Sequence, residues 1–570
     1  MEKQWRFRNL PDADTVNLLA NTLGIDPVIA TLLLQKGIHT FDQAKAYFRP
    51  TLTDLYDPFC MMGMESAIYR LKKAIQQGQP ILIYGDYDVD GITATATVYG
   101  FIKQRYPTVR FYIPDRYTEG YGLSSQAIAW AAQVGIQLII ALDCGIKAFD
   151  CIQQARQAGI DVIVCDHHEP ADVLPAAYAI LDPKQPDCPY PFKELSGCAL
   201  GFKLLQAWVL EDNLPEEMLY AYLDLVAIST ACDLVPMVDE NRILVYHGLN
   251  KLNTDPNLGL HALAQTANLA FPIQASALAF SLGPRLNAAG RIAHGSLAVR
   301  LLLADEKRIA RALASNLNHK NELRQSLDRQ ITTEALGMIA QHTQATQAKA
   351  TVLFNAHWHK GVIGIVASRC LEEYYRPTII LTAAADGKAT GSARSVVGFN
   401  IYRALVACQD LLDQYGGHAH AAGLTLPREN IPLFQERFEE VVQHSIDDQL
   451  LTPVQRIDLP LSLARIDAGL YNILKQMGPF GNGNMRFVFA TDAVIAASYS
   501  VLKNKHLKLT VHQAGTPHRW KAIGFGLARR ASMVSDQRPF RMVYTVEEHS
   551  YRGECGLRIR IKDIQPGDTA

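Results

Sequence analysis

The run Ile81-Leu-Ile-Tyr-Gly-Asp86-Tyr-Asp88-Val-Asp90-Gly91 limits this chain more than any other stretch. An apolar strand ends abruptly in three carboxylates at alternate positions, and a helix-like segment starts near Ile92. Carboxylates so close together resist joint ionisation unless a cation sits between them. Two later runs end in a similar way: Leu138-Ile-Ile-Ala-Leu142 leads into Asp143, and Val162-Ile-Val-Cys165 leads into Asp166-His167-His168. Three buried-type strands therefore deliver acids or histidines at their C-terminal ends, the edge where open α/β sheets bind ligands. The pattern is that of a metal-dependent enzyme.

At 570 residues the chain exceeds a single core and divides into about three or four domains. A formal charge of −1 argues against bulk attraction to nucleic acid and leaves room for a local basic groove. The opening Met1-Glu-Lys-Gln-Trp-Arg-Phe-Arg has no apolar signal region, and no apolar run is long enough to cross a membrane. The ten cysteines form no Cys-x-x-Cys pair, and Cys144, Cys165 and Cys232 sit in apolar contexts. Reduced thiols and a cytoplasmic location are expected.

Residues 1–75 read as a helical and loop-rich region. Beyond it, short β-branched runs at 81–84, 109–113, 138–142, 161–165 and 178–181 alternate with helical ones, which implies a doubly wound parallel sheet over 76–250. Residues 217–230 read as one buried helix, closely followed by Asp233. A helical region follows over 251–348, with a long polar helix at 305–341 carrying Arg308, Arg311, His319, Lys320, Arg324 and Arg329. That helix reads either as a solvated spacer or as one wall of a nucleic-acid groove. A smaller α/β domain is expected over 349–455, with strands at 351–354 and 377–381 and Gly-rich segments at 391–398 and 416–423. Over 456–570 five or six short β-runs suggest a small barrel of the oligonucleotide-binding type, with Lys508, Arg558 and Arg560 on a wet face. Another small antiparallel β-domain would give the same texture.

A hard divalent cation takes oxygen ligands, and imidazole among them shifts preference from magnesium toward manganese. The set Asp88, Asp90, Asp143, His167 and Asp233 is too rich in carboxylate for a structural zinc site. Two ions about 3.5–4 Å apart, bridged by a shared carboxylate, balance so many acids. Asp143, central in the order, is the candidate bridge, and such a pair supports in-line hydrolysis at phosphorus. Asp86 fits either a further ligand or a plain N-cap or turn former. Asp166 fits an acceptor that orients an imidazole, which leaves His168 free to donate to the scissile phosphate or the leaving oxygen. Trp358, Phe399 and Tyr415 are available for base stacking, with core packing as the plainer role.

Asp166-His167-His168, with Asp86-Tyr-Asp88-Val-Asp90 upstream and Asp143 between, resembles the DHH phosphoesterase superfamily. Within it the chain is most similar to the RecJ family of bacterial single-strand-specific 5′→3′ DNA exonucleases. Ser229-Thr-Ala-Cys-Asp233-Leu-Val-Pro-Met, Gly283-Pro-Arg285-Leu-Asn287-Ala-Ala-Gly-Arg291 and His359-Lys-Gly-Val-Ile-Gly-Ile-Val-Ala-Ser-Arg369 carry that likeness. Gly391-Ser-Ala-Arg394-Ser395 and Gly416-Gly-His418-Ala-His-Ala-Ala-Gly423 look like motifs of the DHH-associated domain. The likeness runs from about residue 75 to 565 and leaves the first 75 residues largely outside it.

The resemblance implies metal ligands at Asp88, Asp90, Asp143, His167 and Asp233, and a phosphate-facing His168. It implies strand or terminal-phosphate contacts at Arg116, Arg285, Asn287, Arg291, Ser392, Arg394 and His418. Tyr84 departs from the superfamily's pyrophosphatases, which place a ligating histidine there. Two divalent ions, Mn2+ before Mg2+, are the implied cofactors. Single-stranded DNA is the implied substrate, a single-strand-binding protein and a RecQ-type helicase the implied partners, and a monomer the expected state. The rival readings are a superfamily phosphodiesterase or pyrophosphatase with a small substrate, and a non-catalytic scaffold. The β-rich C-terminal domain argues against the first, and the full set of candidate ligands against the second.

Overall fold

The computed structural model describes residues 2–341, 348–385, 387–551 and 554–567; the end of the expected helical region, 342–347, lies outside them. Short β-branched runs apolar on both faces suit a parallel sheet covered by helices on each side. Five such strands form in the spatial order Val109–Tyr112, Ile81–Gly85, Leu138–Leu142, Asp161–Cys165, Ala179–Leu181, all parallel. The chain leaves Ile81–Gly85 toward one side of the sheet and then crosses to the other, so the winding reverses there. Crevices at such reversals are where open sheets bind ligands. Gly85, Leu142 and Cys165 are level in the pairing, which brings Asp86, Asp143 and Asp166 to one edge.

Helices Val89–Lys103 and Gly197–Glu211 cover one face around Phe101, Phe202 and Trp208. Ser125–Gln133 and Phe149–Gln157 cover the other around Ile128, Ile139 and Ile152. The sheet is doubly wound. The expected single helix over 217–230 is instead two pieces, Glu217–Tyr220 and Leu223–Cys232. The break falls at Tyr222, whose ring packs edge-on to Phe101 while its hydroxyl accepts from Gln104. Apolar composition alone does not reveal such an anchored turn.

The connecting helix Lys307–Gln341 has 35 residues, about 50 Å at 1.5 Å each. Its buried stripe includes Ala314, Leu317, Asn321, Asp328, Ile331 and Ala335, whereas Arg308, Arg311, His319 and Arg329 face water. Exposed cations suit a spacer face and a groove wall alike; Arg324 is half-buried, its Nε donating to Asn321 Oδ1 at 3.2 Å, with the charges of Asp328, Arg369 and Arg285 around it. Asp328 takes both guanidinium bonds of Arg369 at 2.8 Å, tying the helix to the next domain.

That domain holds a five-stranded mixed sheet in the order Gln414–Gly417, Ala421–Pro427, Lys388–Arg394, Thr378–Ala383, Thr351–Phe354. The Gly-rich segments lie in its strands: Gly416 is opposite Gly423, and Gly423 opposite Ser392. Trp358 and Phe399 are buried, and Tyr415 packs against the core, so the plainer role holds for all three. In the C-terminal region Phe489–Leu502, His506–Gln513, Trp520–Gly524, Glu554–Pro566 and Phe540–Tyr551 pair in a ring that closes between the first and last of these. The first strand of the ring is bulged between Ala496 and Ser498.

The N-terminal residues share the barrel's core. Strand Gln4–Phe7 pairs in parallel with Val454–Ile457. Ile29, Leu32 and Leu33 pack in one cluster with Leu463, Phe489 and Phe540. By contrast, helix Met64–Gln76 joins the core of the parallel sheet.

Candidate metal centre and anion-binding cleft

Asp88 caps the helix Val89–Lys103, its Oδ1 accepting from the N–H groups of Asp90 at 2.8 Å and Gly91 at 3.2 Å. The N-cap is thus Asp88 and not Asp86. Asp90, in the first turn, is fully buried against the start of helix Gly197–Glu211. It accepts from Gly197 N at 2.7 Å, Cys198 N at 2.8 Å and Ser229 Oγ at 2.6 Å. Gly197 has to be glycine: a Cβ there would lie 2.6 Å from that of Asp143. Asp143 itself has φ 59, a left-handed conformation that aspartate tolerates better than most residues.

His167 gathers the acids. Its Nε2 is 3.2 Å from Asp143 Oδ1, 3.6 Å from Asp233 Oδ2 and 3.8 Å from Asp90 Oδ2. Asp90, His167 and Asp233 form one group whose ligand atoms lie within 4.8 Å of one another; Asp86, Asp88 and Asp143 form a second. Asp143 therefore touches the histidine side and belongs to the acidic side. Burial, then the neighbouring acids, pushes Asp86, Asp143 and Asp233 well above the usual carboxylate range and Asp90 to about 6. Burial, then the adjacent His168, lowers His167 to about 3, so its imidazole is neutral and able to ligate.

These residues fit a pair of hard cations. Asp86 Oδ1 and Asp233 Oδ2 are buried without a hydrogen-bond partner, a costly state for a carboxylate that a cation relieves. The donors are oxygen with one imidazole, the mixture manganese accepts.

Asp166 stands behind the ligands. Its Oδ1 accepts from His168 Nδ1 at 2.6 Å and His167 N at 2.8 Å, and its Oδ2 from Ile146 N at 2.9 Å. Burial alone would raise this carboxyl, but the His168 and Ile146 contacts outweigh it and hold it at about 2. For His168 burial pulls downward, and Asp166 outweighs that and raises it. Tyr84 points away from the centre: its hydroxyl donates to Gly122 O at 2.6 Å beneath a stacked Tyr112.

Two residues of the site have no role assigned from the sequence, although Ser229 stands in a motif quoted above. Ser229 lies four positions before Asp233, one helical turn, and that spacing was the available signal. Tyr121 donates to Asp143 O at 3.0 Å and lies 3.3 Å from the His168 ring nitrogens; nothing in its local sequence marks this.

Across the cleft stand arginines. Burial, then the charges of Arg116, Arg324 and Arg394, lowers Arg291 to about 10. Such crowding of cations marks an anion site. Arg291 donates to Gly361 O at 3.0 Å, Arg394 to Ser392 Oγ at 2.8 Å, and Arg116 lies 4.8 Å over the Tyr87 ring. His418, exposed at the turn before Ala421–Pro427, is lowered by burial and then by His420, Arg394 and His168. Arg285 and Asn287 are engaged with protein: Arg285 donates to Asn318 and Ser281, and Asn287 Oδ1 accepts from Val89 N at 2.9 Å.

Comparison with known proteins matches this geometry to known domains. The DHH family N-terminal domain matches residues 80–230, the DHHA1 domain 346–444 and the RecJ OB domain 457–563. The single-stranded-DNA-specific exonuclease RecJ of Bacillus subtilis is 40% identical over 92% of this chain and 66% of its own length. That of Escherichia coli is 33% identical over 99% of this chain and 100% of its own length. Among solved structures, RecJ from Thermus thermophilus in complex with Mn2+ has a TM-score of 0.85 at 26% identity, covering 99% of this chain and 80% of that one. Because the likeness runs from end to end of the Escherichia coli relative, and the three domains fall on the folded units that frame the cleft, the chain belongs to the RecJ family.

Proposed function

We propose that this chain is a metal-dependent exonuclease that hydrolyses single-stranded DNA from the 5′ end to 5′-mononucleotides, in DNA repair and recombination. The observation that carries the reading is the double membership of Asp143, in contact with His167 and clustered with Asp86 and Asp88, on the edge that faces the arginines. Asp90, His167 and Asp233 would hold one divalent ion and Asp86 and Asp88 another, with Asp143 shared; Mn2+ is preferred and Mg2+ usable. When bound, the pair supplies Lewis acidity and a nucleophilic water for in-line displacement at phosphorus.

The chain's own residues do the rest. Asp166 engages one nitrogen of His168 and favours the protonated ring, so the other nitrogen serves as donor to the scissile phosphate or the leaving oxygen. Tyr121 steadies both His168 and the Asp143 backbone. Arg116, Arg291, Arg394, Ser392 and His418 hold the terminal phosphate and the strand behind it. Arg285 and Asn287 act one step back, Asn287 by fixing the Val89 backbone beside Asp88. A cavity of about 1370 Å³ between barrel and catalytic domain, lined by Arg456, Arg486, Arg560, Phe280 and Met485, leads to Leu234 beside Asp233. Basic walls with exposed apolar side chains suit an unpaired strand.

The family likeness extends the reading to a cytoplasmic monomer working with a single-strand-binding protein and a RecQ-type helicase. Among the described residues no single helix is long and apolar enough to cross a membrane. The test is hydrolysis of single-stranded DNA labelled separately at each end, with Mn2+, Mg2+ or chelator, beside the matching duplex. Metal-dependent mononucleotide release from the 5′ label, absent on blunt duplex, is expected. Turnover of dinucleotides or pyrophosphate with no cleavage of long strands would replace this reading with a small-substrate one.

A further inference from the structure

The parallel sheet ends on one side at Val109–Tyr112, a strand of four residues that, among the described residues, pairs only with Ile81–Gly85. Thr108 O accepts from Ile81 N, so main-chain groups of even-numbered residues point to that neighbour and those of Val109, Phe111 and Ile113 point outward. Helix Ser296–Leu302 and the turn before it form a wall alongside. Between wall and strand lies a groove of about 400 Å³, its sides formed by Tyr99, Arg110, Phe111, His294, Ser296 and Arg300, with no acid among the lining residues. Arg110 and Arg300 are exposed, and among the described residues neither guanidinium has an ion pair or a hydrogen-bonding partner.

An edge strand flanked by a helix is the geometry that accepts an added peptide strand: main-chain bonds supply affinity and side pockets supply selectivity. We propose that this groove docks an extended acidic segment of a partner protein, which adds a sixth strand to the sheet beside Val109–Tyr112. The charge selects the occupant. A second copy of this chain joined edge to edge would set Arg110 and Arg300 against their own counterparts, and like charges facing across strands are destabilising. An acidic segment neutralises both, while its apolar side chains meet Tyr99 and Phe111. The edge is about 13 Å long at 3.3 Å per residue, enough for four residues of a partner. None of these residues belongs to the metal centre or the arginine cleft, so docking leaves the substrate path free.

The probe is a fluorescent peptide of alternating Asp and Val, measured by anisotropy on the full chain. Its controls are the Lys/Val counterpart, an Asp/Val peptide N-methylated at alternate residues, and a hexathymidylate. We expect saturable binding of the Asp/Val peptide, about tenfold or more weaker for the Arg110→Glu/Arg300→Glu double variant and for the N-methylated peptide. Exonuclease activity of the double variant should be unchanged, which also shows that it is folded. No binding at millimolar peptide would leave Arg110 as a mere guard against strand pairing and overturn the proposal. Equal binding by the N-methylated peptide would overturn strand addition. Tighter binding of hexathymidylate, lost in the same double variant, would make the groove a nucleic-acid contact instead.

Discussion

Nε2 of His167 lies 3.2 Å from Oδ1 of Asp143, the carboxylate that also clusters with Asp86 and Asp88. One side chain thus joins the histidine side of the centre to its acidic side. Asparagine keeps the shape of Asp143 and tolerates its left-handed backbone, so Asp143→Asn removes charge and little else. Its rate on single-stranded DNA should fall by about 10³-fold or more, about 4 kcal/mol of transition-state stabilisation. Full activity from a folded Asp143→Asn protein would defeat the shared-ligand reading.

The crowded acids also make metal-free stability depend on pH. Asp86, Asp143 and Asp233 are raised well above the ordinary carboxylate value of 3.8 and Asp90 to about 6, so each holds its proton more tightly folded than unfolded. Stability from such groups is complete below the unfolded value and is lost as pH rises through the folded one. In chelator the protein should therefore melt at a higher temperature at about pH 5 than at about pH 8, and Mn2+ should restore most of the loss at the higher pH. His167, lowered to about 3, works in the opposite sense within this window, one group against four acids, and Asp166, held at about 2, does so only in more acidic solution. A melting temperature in chelator that rises between those two pH values would refute the assignment.

Asp166 accepts from His168 Nδ1 at 2.6 Å, which keeps that imidazole protonated to higher pH. Asp166→Asn should lower the rate by about 10–100-fold, as loss of a supporting carboxylate does, while bound metal per chain stays the same. The basic limb of the pH–rate profile should move to lower pH, since His168 loses its proton earlier. An unmoved limb, or lost metal, would make Asp166 a structural residue.

Much of this centre was legible because the sheet register is simple. Apolar runs at 81–84, 138–142 and 161–165 each end one residue or so before an acid, and parallel strands kept level bring those acids together. Asp233 was found because it follows an apolar helix. What stayed hidden came from contacts between distant segments. Tyr121 reaches Asp143, Asn287 reaches Val89 across about 200 positions, and Arg291 meets Gly361 of another domain. No local period encodes such pairs. The N-terminal region is the clearest case, because its helices read correctly while their partner, the barrel, lies more than 400 residues away.

Gly364 offers a test of the arginine cleft that leaves the arginines in place. A Cβ there would come within 2.8 Å of Arg394 Nη2 and 2.9 Å of Ser392 Oγ. Gly364→Ala should push the Arg394 fork off its present line without removing its charge. KM for single-stranded DNA should rise by about tenfold, with kcat less affected and no loss of thermal stability. If KM is unchanged while Arg394→Ala raises it, the fork's direction does not matter and only its charge does.

The shared core of the first helices and the barrel gives the last test. Leu33 is fully buried in a cluster that includes Phe489 and Phe540, although the three are far apart in sequence. Truncating a leucine in such a site costs about 2–5 kcal/mol, the spread reflecting how far the walls relax. Leu33→Ala should therefore lower the denaturant midpoint of the barrel, read as faster amide exchange in His506–Gln513, while the parallel sheet strands Ile81–Gly85 and Leu138–Leu142 keep their protection. The physical reason is that the parallel sheet has its own core, built with helix Met64–Gln76, and does not rely on Leu33. Exchange that speeds up equally in both would show one cooperative unit from end to end; exchange unchanged in the barrel would mean the first helices merely rest on it.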